Sequence, residues 1–216
     1  MERYLSADEV KKKILAVLPG KVGELYYELW NNITTLHLNW QNYRILFGTS
    51  PERIDLLNWA AGSFFGMLDD ILRHEVFMHI ARLADPARSM GRDNASLERM
   101  VRELSANGEE TFITGLGTKI QDLQAYCSPI RQLRNRTLAH GDLATALRYH
   151  PDPLPGISRA YIEGALQKIR DIMNDMELKY FNSTVFYEDV IAQDDANALI
   201  YTLERAKEHE RCLGEK

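Results

Sequence analysis

Disulfides are the first thing this sequence does without. Its 216 residues hold two cysteines, Cys127 and Cys212, far apart and forming no CxxC pair, which fits a reducing compartment better than a covalent framework. Also missing is any apolar run approaching the roughly 18 to 20 residues of a membrane span. The first residues, MERYLSADEVKKK, carry no apolar stretch of the secretion-signal kind. The chain is therefore expected to stay in the cytoplasm, with no membrane partner. Excess positive charge is absent too: the formal net charge is -5. That balance argues against a generally basic, nucleic-acid-coating surface, because phosphate binding rests on clustered Lys and Arg. The average hides a local exception. From Gly117 to Arg148 five basic residues (Lys119, Arg131, Arg134, Arg136, Arg148) face two acidic ones (Asp122, Asp142), so this segment is +3 and the remainder -8.

What is present reads as helix. Ser6-Ala7-Asp8-Glu9 is a capping box, in which the Ser oxygen and the Glu carboxylate satisfy orphan backbone N–H groups, and Pro19-Gly20 ends that helix. Val22, Leu25, Leu29, Ile33, Leu36, Trp40 and Tyr43 follow the three-and-four spacing of one face, predicting a long second helix to about Leu46. Ser50-Pro51-Glu52 opens a third, whose apolar pattern passes Ile54, Leu57, Phe64, Leu68, Ile71 and Leu72 and stops at Asp85-Pro86. Ala87 to Ala95 reads as a loop, and Ser96 to Leu104 as a short helix of thin apolar content closed by Asn107-Gly108. The stretch from about Thr118 to His140 is helical with Pro129 in its middle, so either it kinks or two helices abut; Gly141 is its stop. His150 to Gly156 is a proline-rich rigid loop, Ser158 caps a helix to about Phe181, and Val185 to Val190 is a short strand or an extended connector. Asp194-Asp195 opens a last helix to about Cys212, with negative charge at its positive dipole end. With no repeat, low-complexity tract or linker, the expectation is one all-α domain over residues 1–216, a bundle of about five to seven helices.

Within the Thr118 helix, Leu123, Tyr126, Ile130, Leu133, Thr137 and His140 form the core-facing stripe. His140 thus sits on that stripe and also in the last turn, where the negative end of the helix dipole favours a protonated imidazole. Such a histidine suits proton transfer, or else is a core residue bonded to a neighbour. Arg131, Arg134 and Arg136 crowd the two turns before it. Like charge at that density faces anions or carboxylates, or forms a solvated basic face.

The segment Leu133-Arg134-Asn135-Arg136-Thr137-Leu138-Ala139-His140-Gly141-Asp142 resembles the motif of HEPN domains, an Arg followed after four to six residues by His, with a polar residue after the Arg. The nearer likeness is to the AbiU-like branch, associated with abortive phage infection, whose members read Arg-Asn or Arg-Asp and then Ala-His-x-Asp. Ala81-Arg82-Leu83-Ala84-Asp85-Pro86, followed by Ser96-Leu97, also resembles that branch's Arg-Leu-x-Asp-Pro element. The resemblance implies a HEPN-like helical bundle and a metal-independent endoribonuclease needing no cofactor, acting as a toxin or in phage defence. RNA is then the substrate, a homodimer brings two motifs together across one cleft, and an antitoxin protein is a possible further partner. A non-catalytic, dimerising RNA-binding or regulatory module is the alternative. His140 would act as general acid or base around attack of a 2′-OH on its own phosphate. Arg134 would stabilise phosphoryl charge and Asn135 would orient the phosphate, while Arg131, Arg136 and Asp142 would lie along the RNA. On an ideal α-helix Arg134 and His140 are about 120° and 9 Å apart. Spacing alone pairs Arg136 with His140; the family pattern pairs Arg134.

Competing motifs are weaker. His74-Glu75-Val76-Phe77-Met78-His79 has one residue too many for a zinc-protease helix, and five positions set the histidines about 140° apart. Asp70 and His74 are spaced for an ordinary helical hydrogen bond, or as two metal ligands with His37 elsewhere supplying a third. Gly115-Leu116-Gly117-Thr118-Lys119 lacks phosphate-loop spacing and reads as a helix lead-in. Tyr26, Trp30, Trp40 and Tyr43 recur at core spacing, and Asp85 and Arg82 are assigned a local structural pairing.

Overall fold

The boundaries of the helices follow from where the chain supplies caps and where it cannot. The computed structural model describes residues 6–18, 20–105, 109–138, 156–189 and 195–214. Ser6 caps α1 (Ala7–Val17) as the sequence predicts: its hydroxyl accepts from the Glu9 N–H at 3.3 Å and the Glu9 carboxylate accepts from the Ser6 N–H at 2.8 Å. Next come α2 (Lys21–Phe47) and α3 (Pro51–Leu83), the latter entered through the Ser50 hydroxyl and broken at Ala61, where the backbone leaves helical geometry. The expected loop after α3 is in fact a two-stranded hairpin, β1 (Arg88–Ser89) and β2 (Arg92–Asp93), turned by Met90 and Gly91 at positive φ. Then follow α4 (Leu97–Leu104), α5 (Glu110–Tyr126), α6 (Ser128–Leu133), a π-helical turn Arg134–Leu138, α7 (Arg159–Met176) with a second π-helical turn Glu177–Phe181, and α8 (Ala196–Gly214). The protein is all-α, and the described residues hold eight α-helices where about five to seven were expected.

Part of the excess comes from Pro129. Cys127 donates its N–H back to the Leu123 carbonyl at 2.8 Å and accepts from the Arg131 N–H at 3.0 Å, so it closes α5 and opens α6. Pro129, which has no N–H to offer, lies in the first turn of α6 where none is needed. Two helices abut, and α5 begins at Glu110, so Gly115 and Gly117 lie inside it instead of leading into it. Asn107 and Gly108, the predicted close of α4, lie outside the described residues, as do Pro19, the His150 to Pro155 loop and Asp194. Residues 183–186 form no strand.

The chain divides into two compact units, residues 1–34 with 77–187, and residues 35–76 with 188–216. In the first, α5 packs on α4 and α7. Leu97, Met100, Val101 and Leu104 are all buried, so the short α4 is strongly amphipathic despite its few apolar residues. Opposite them α5 buries Leu116, Ile120 and Leu123, and α7 buries Ile162, Leu166, Ile169 and Met173. Tyr126 and Tyr161 stack with centroids 4.7 Å apart, each hydroxyl donating to the other's backbone carbonyl. Gly164 lies beneath this pair: a Cβ there would stand 2.9 Å from Tyr126 Cζ. The second π-helical turn buries Glu177, whose carboxylate accepts from the Tyr26 hydroxyl and, at 2.8 Å, from Ser183. Burial pushes the Tyr26 and Tyr187 phenols beside it far up.

In the second unit Leu46, Leu56, Leu57 and Phe65 close on Ala196 and Ile200. The break at Ala61 disturbs the helical phase of α3, and Phe64 and Ile71 beyond it, which the apolar pattern joins to one stripe, are exposed; Ile54, before the break, is exposed as well. The Asp70 carboxylate pairs with Arg73 at 2.5 Å and not with His74 as its spacing suggests. Among the described residues no helix is long and apolar enough to cross a membrane.

Replacing Gly164 tests the α5–α7 contact. Alanine gains about 1 kcal/mol of helix propensity, but the overpacking against Tyr126 costs about 1–3 kcal/mol. Gly164→Ala is expected to lower stability by about 1 kcal/mol net in urea denaturation, against the usual sign for an interior helical glycine.

Candidate functional site

The two stretches singled out in the sequence meet in space. Asp85 follows the last turn of α3, where its N–H donates to the Arg82 carbonyl at 3.2 Å. Its carboxylate does not pair locally with Arg82, as the sequence suggests. Arg134 Nη1 donates to Asp85 Oδ2 at 2.6 Å, and both side chains are only 16% exposed. Water is largely excluded from the pair, so the charge-assisted bond is stronger than at an open surface. Arg131 Nε lies 3.6 Å from Asp85 Oδ1, an ion pair without a hydrogen bond. One carboxylate thus balances two guanidinium groups, leaving these three side chains positive by one charge.

Arg134 opens the π-helical turn. Here the backbone bonding runs to the fifth residue, and one extra residue enters the turn. The α-helical phase that set Arg134 away from His140 and favoured Arg136 therefore does not apply across residues 134–138. Asn135 is exposed, and its side-chain oxygen accepts from Arg134 Nε at 3.1 Å. Arg134 is consequently gripped at two of its five N–H donors, one by each partner, which fixes the plane of the guanidinium while leaving others to bond a ligand. Arg136 is half-buried on the same turn. His140 and Asp142 lie outside the described residues.

A family model for the AbiU2 branch of HEPN proteins (HEPN_AbiU2) matches residues 20–199. The chain belongs to the HEPN_AbiU2 family. No curated protein and no solved structure matches it. The match covers both the Asp85 element and the Arg134 motif of this AbiU2 chain.

Cys127, just before this cluster, is fully buried, and burial pushes its thiol up to about 12. Among the described residues no group of three His, Cys, Asp or Glu side chains is placed to hold a metal ion. His74 is exposed while His79 is buried, which sets them on different faces of α3. A cleft of about 710 Å³ in the other unit, lined by Trp59, Arg53, Glu204 and Lys207, contains no motif residue. Sequence reasoning missed Asp85 as the partner of Arg134: the Asp-Pro element was read as a helix stop and as part of the family likeness, with Asp85 assigned to Arg82.

Two outcomes follow. Removing one partner of a mostly shielded ion pair strands the other, so Asp85→Ala is expected to cost about 2–3 kcal/mol in urea denaturation, while Arg82→Ala at an exposed position changes stability by less than about 0.5 kcal/mol. A thiol reagent at pH 8 is expected to label Cys212, which is exposed, and to reach Cys127 only in denaturant; mass spectrometry of the labelled peptides checks this.

Proposed function

We propose that this protein is a metal-independent endoribonuclease of HEPN type, a toxin or phage-defence effector, folded as a single HEPN-like helical domain in the cytoplasm. The observation that carries this reading is the Arg134–Asp85 pair: a shielded carboxylate and Asn135 fix the motif arginine's guanidinium at a π-helical turn, with donors to spare. Planar guanidinium donors match phosphate oxygens, and a group fixed in advance stabilises developing charge without reorganising.

In the reaction an RNA 2′-OH attacks its adjacent phosphorus. The 2′-O–P bond forms and the P–O5′ bond breaks, giving a 2′,3′-cyclic phosphate and a free 5′-OH. His140 of one copy removes the 2′-OH proton and His140 of a second copy protonates the departing O5′, the two motifs facing one another in a homodimer. Arg134 bonds the non-bridging oxygens, Arg131 and Arg136 hold flanking phosphates, and Asp142 lines the RNA path. Charge comes from arginine and protons from histidine, so the chemistry asks nothing of a metal or cofactor. A protein antitoxin is the partner that would hold such an activity in check.

A second reading, a dimerising RNA-binding or regulatory module without catalysis, is favoured by the same pair: Asp85 already neutralises Arg134, as in a purely structural bridge. Incubating total cellular RNA with the protein in EDTA decides between them. The nuclease reading expects cleavage that falls by about 10²–10⁴ in His140→Ala and in Arg134→Ala, with Arg136→Ala still cleaving. RNA bound but not cut by the parent protein favours the module.

A further inference from the structure

The hairpin that follows α3 is tied at its root and exposed at its tip. Arg88 pairs with Asp93 and Ser89 with Arg92 in antiparallel register. The Asn94 side-chain amide donates to the Pro86 carbonyl at 2.7 Å and to Ser89 Oγ at 2.9 Å, and the Asn94 N–H donates to the Ala87 carbonyl at 2.9 Å. Ala87 is fully buried. Pro86 adjoins Asp85, so this clasp is built on the residue next to the carboxylate that holds Arg134. Three residues of chain put the Arg88 Cα within about 11 Å of that of Asp85.

The tip is the reverse. Met90 is wholly exposed and sits at φ +48°, the left-handed region where a bulky L side chain is strained and where Asn or Gly is usual in such a turn. Neither packing within the fold nor backbone geometry accounts for a methionine there. The charge is also one-sided. Arg99 takes the Asp93 carboxylate at 3.1 Å, while Arg88 and Arg92 are exposed on the two strands and Arg82 is exposed in the last turn of α3. Arg88 Nη2 braces the turn by donating to the Gly91 carbonyl at 3.1 Å.

The geometry points to this hairpin as a second RNA-contacting element of the same site, in which Arg88 and Arg92 neutralise backbone phosphates of a single-stranded RNA and Met90 packs on an unpaired base. The inference rests on the ribonuclease reading for the identity of the strand. A single strand is required because an apolar tip reaches a base face only where the base is unstacked; in an A-form duplex the faces are hidden and the major groove is too narrow. The root is tied at Pro86, the residue after the Asp85 that holds Arg134, so the hairpin and the motif arginine share one anchor point in the chain.

The test uses the 216-residue chain with His140→Ala, which leaves RNA uncut, and fluorescence anisotropy of a labelled oligouridine over a salt series. Adding Arg88→Glu with Arg92→Glu is expected to weaken binding by about 10- to 100-fold and, if two phosphate contacts are lost, to flatten the salt slope by about 1.4. Adding Met90→Asn is expected to weaken binding several-fold while raising the melting temperature, because Asn suits the left-handed turn. A loss of affinity from instability would move both readouts down together. If the His140→Ala protein binds oligouridine and the hairpin variants bind it equally well, the hairpin inference falls and the ribonuclease reading stands. If it binds no RNA even at low salt, both fall. Duplex RNA bound as tightly, with the same dependence on Met90, overturns the single-strand assignment.

Discussion

The ion pair between Asp85 and Arg134 is the constraint on which the rest of the candidate site depends. An arginine on a helix end has four free torsions and points into water unless something holds it. Here a carboxylate from 49 residues earlier reaches it at 2.6 Å in a setting that is mostly dry. The pair joins the end of α3 to the end of α6. It also draws in Arg131, so that three charged side chains share one small volume with a net positive charge. Losing the acid would strand two guanidinium groups, and their spare positive charge is what the proposed phosphate contact rests on.

Backbone features converge on the same place. Cys127 ends one helix and Pro129 starts the next, so α6 is free to aim independently of α5. The π-helical turn then carries Arg134, Asn135 and Arg136. One residue beyond Asp85, at Pro86, the Asn94 clasp fixes the hairpin. The charged residues of the candidate site therefore sit at helix ends and beside tight turns, in a chain whose net charge is -5.

Much of the fold was legible. Ser6, Ser50, Ser96 and Ser158 each cap the helix the sequence assigned to them, because a short side-chain oxygen before an apolar periodic run has few other uses. The family was legible from the ten residues Leu133 to Asp142 together with the second element at Ala81 to Pro86. The register of α3 beyond Ala61 was not, since a backbone break changes the helical phase without leaving a proline to mark it. The apolar strength of α4 was underestimated because four residues in eight, all on one face, bury more than their number suggests. The hairpin was missed for want of the usual Asn-Gly or Asp-Gly turn, since Met90 occupies that position. Within the site, Arg134 and Asn135 were found from the motif, but their anchor was not: local spacing favours Arg82 as the partner of Asp85, and only tertiary structure brings Arg134 to it.

A double-mutant cycle between Asp85→Asn and Arg134→Gln, read by urea denaturation, tests this account most directly. If Asp85 holds Arg134, the two single losses are not additive and the cycle returns a coupling of about 1–3 kcal/mol. Additivity to within about 0.5 kcal/mol would mean that the two residues act independently, and the site as built around them would be contradicted.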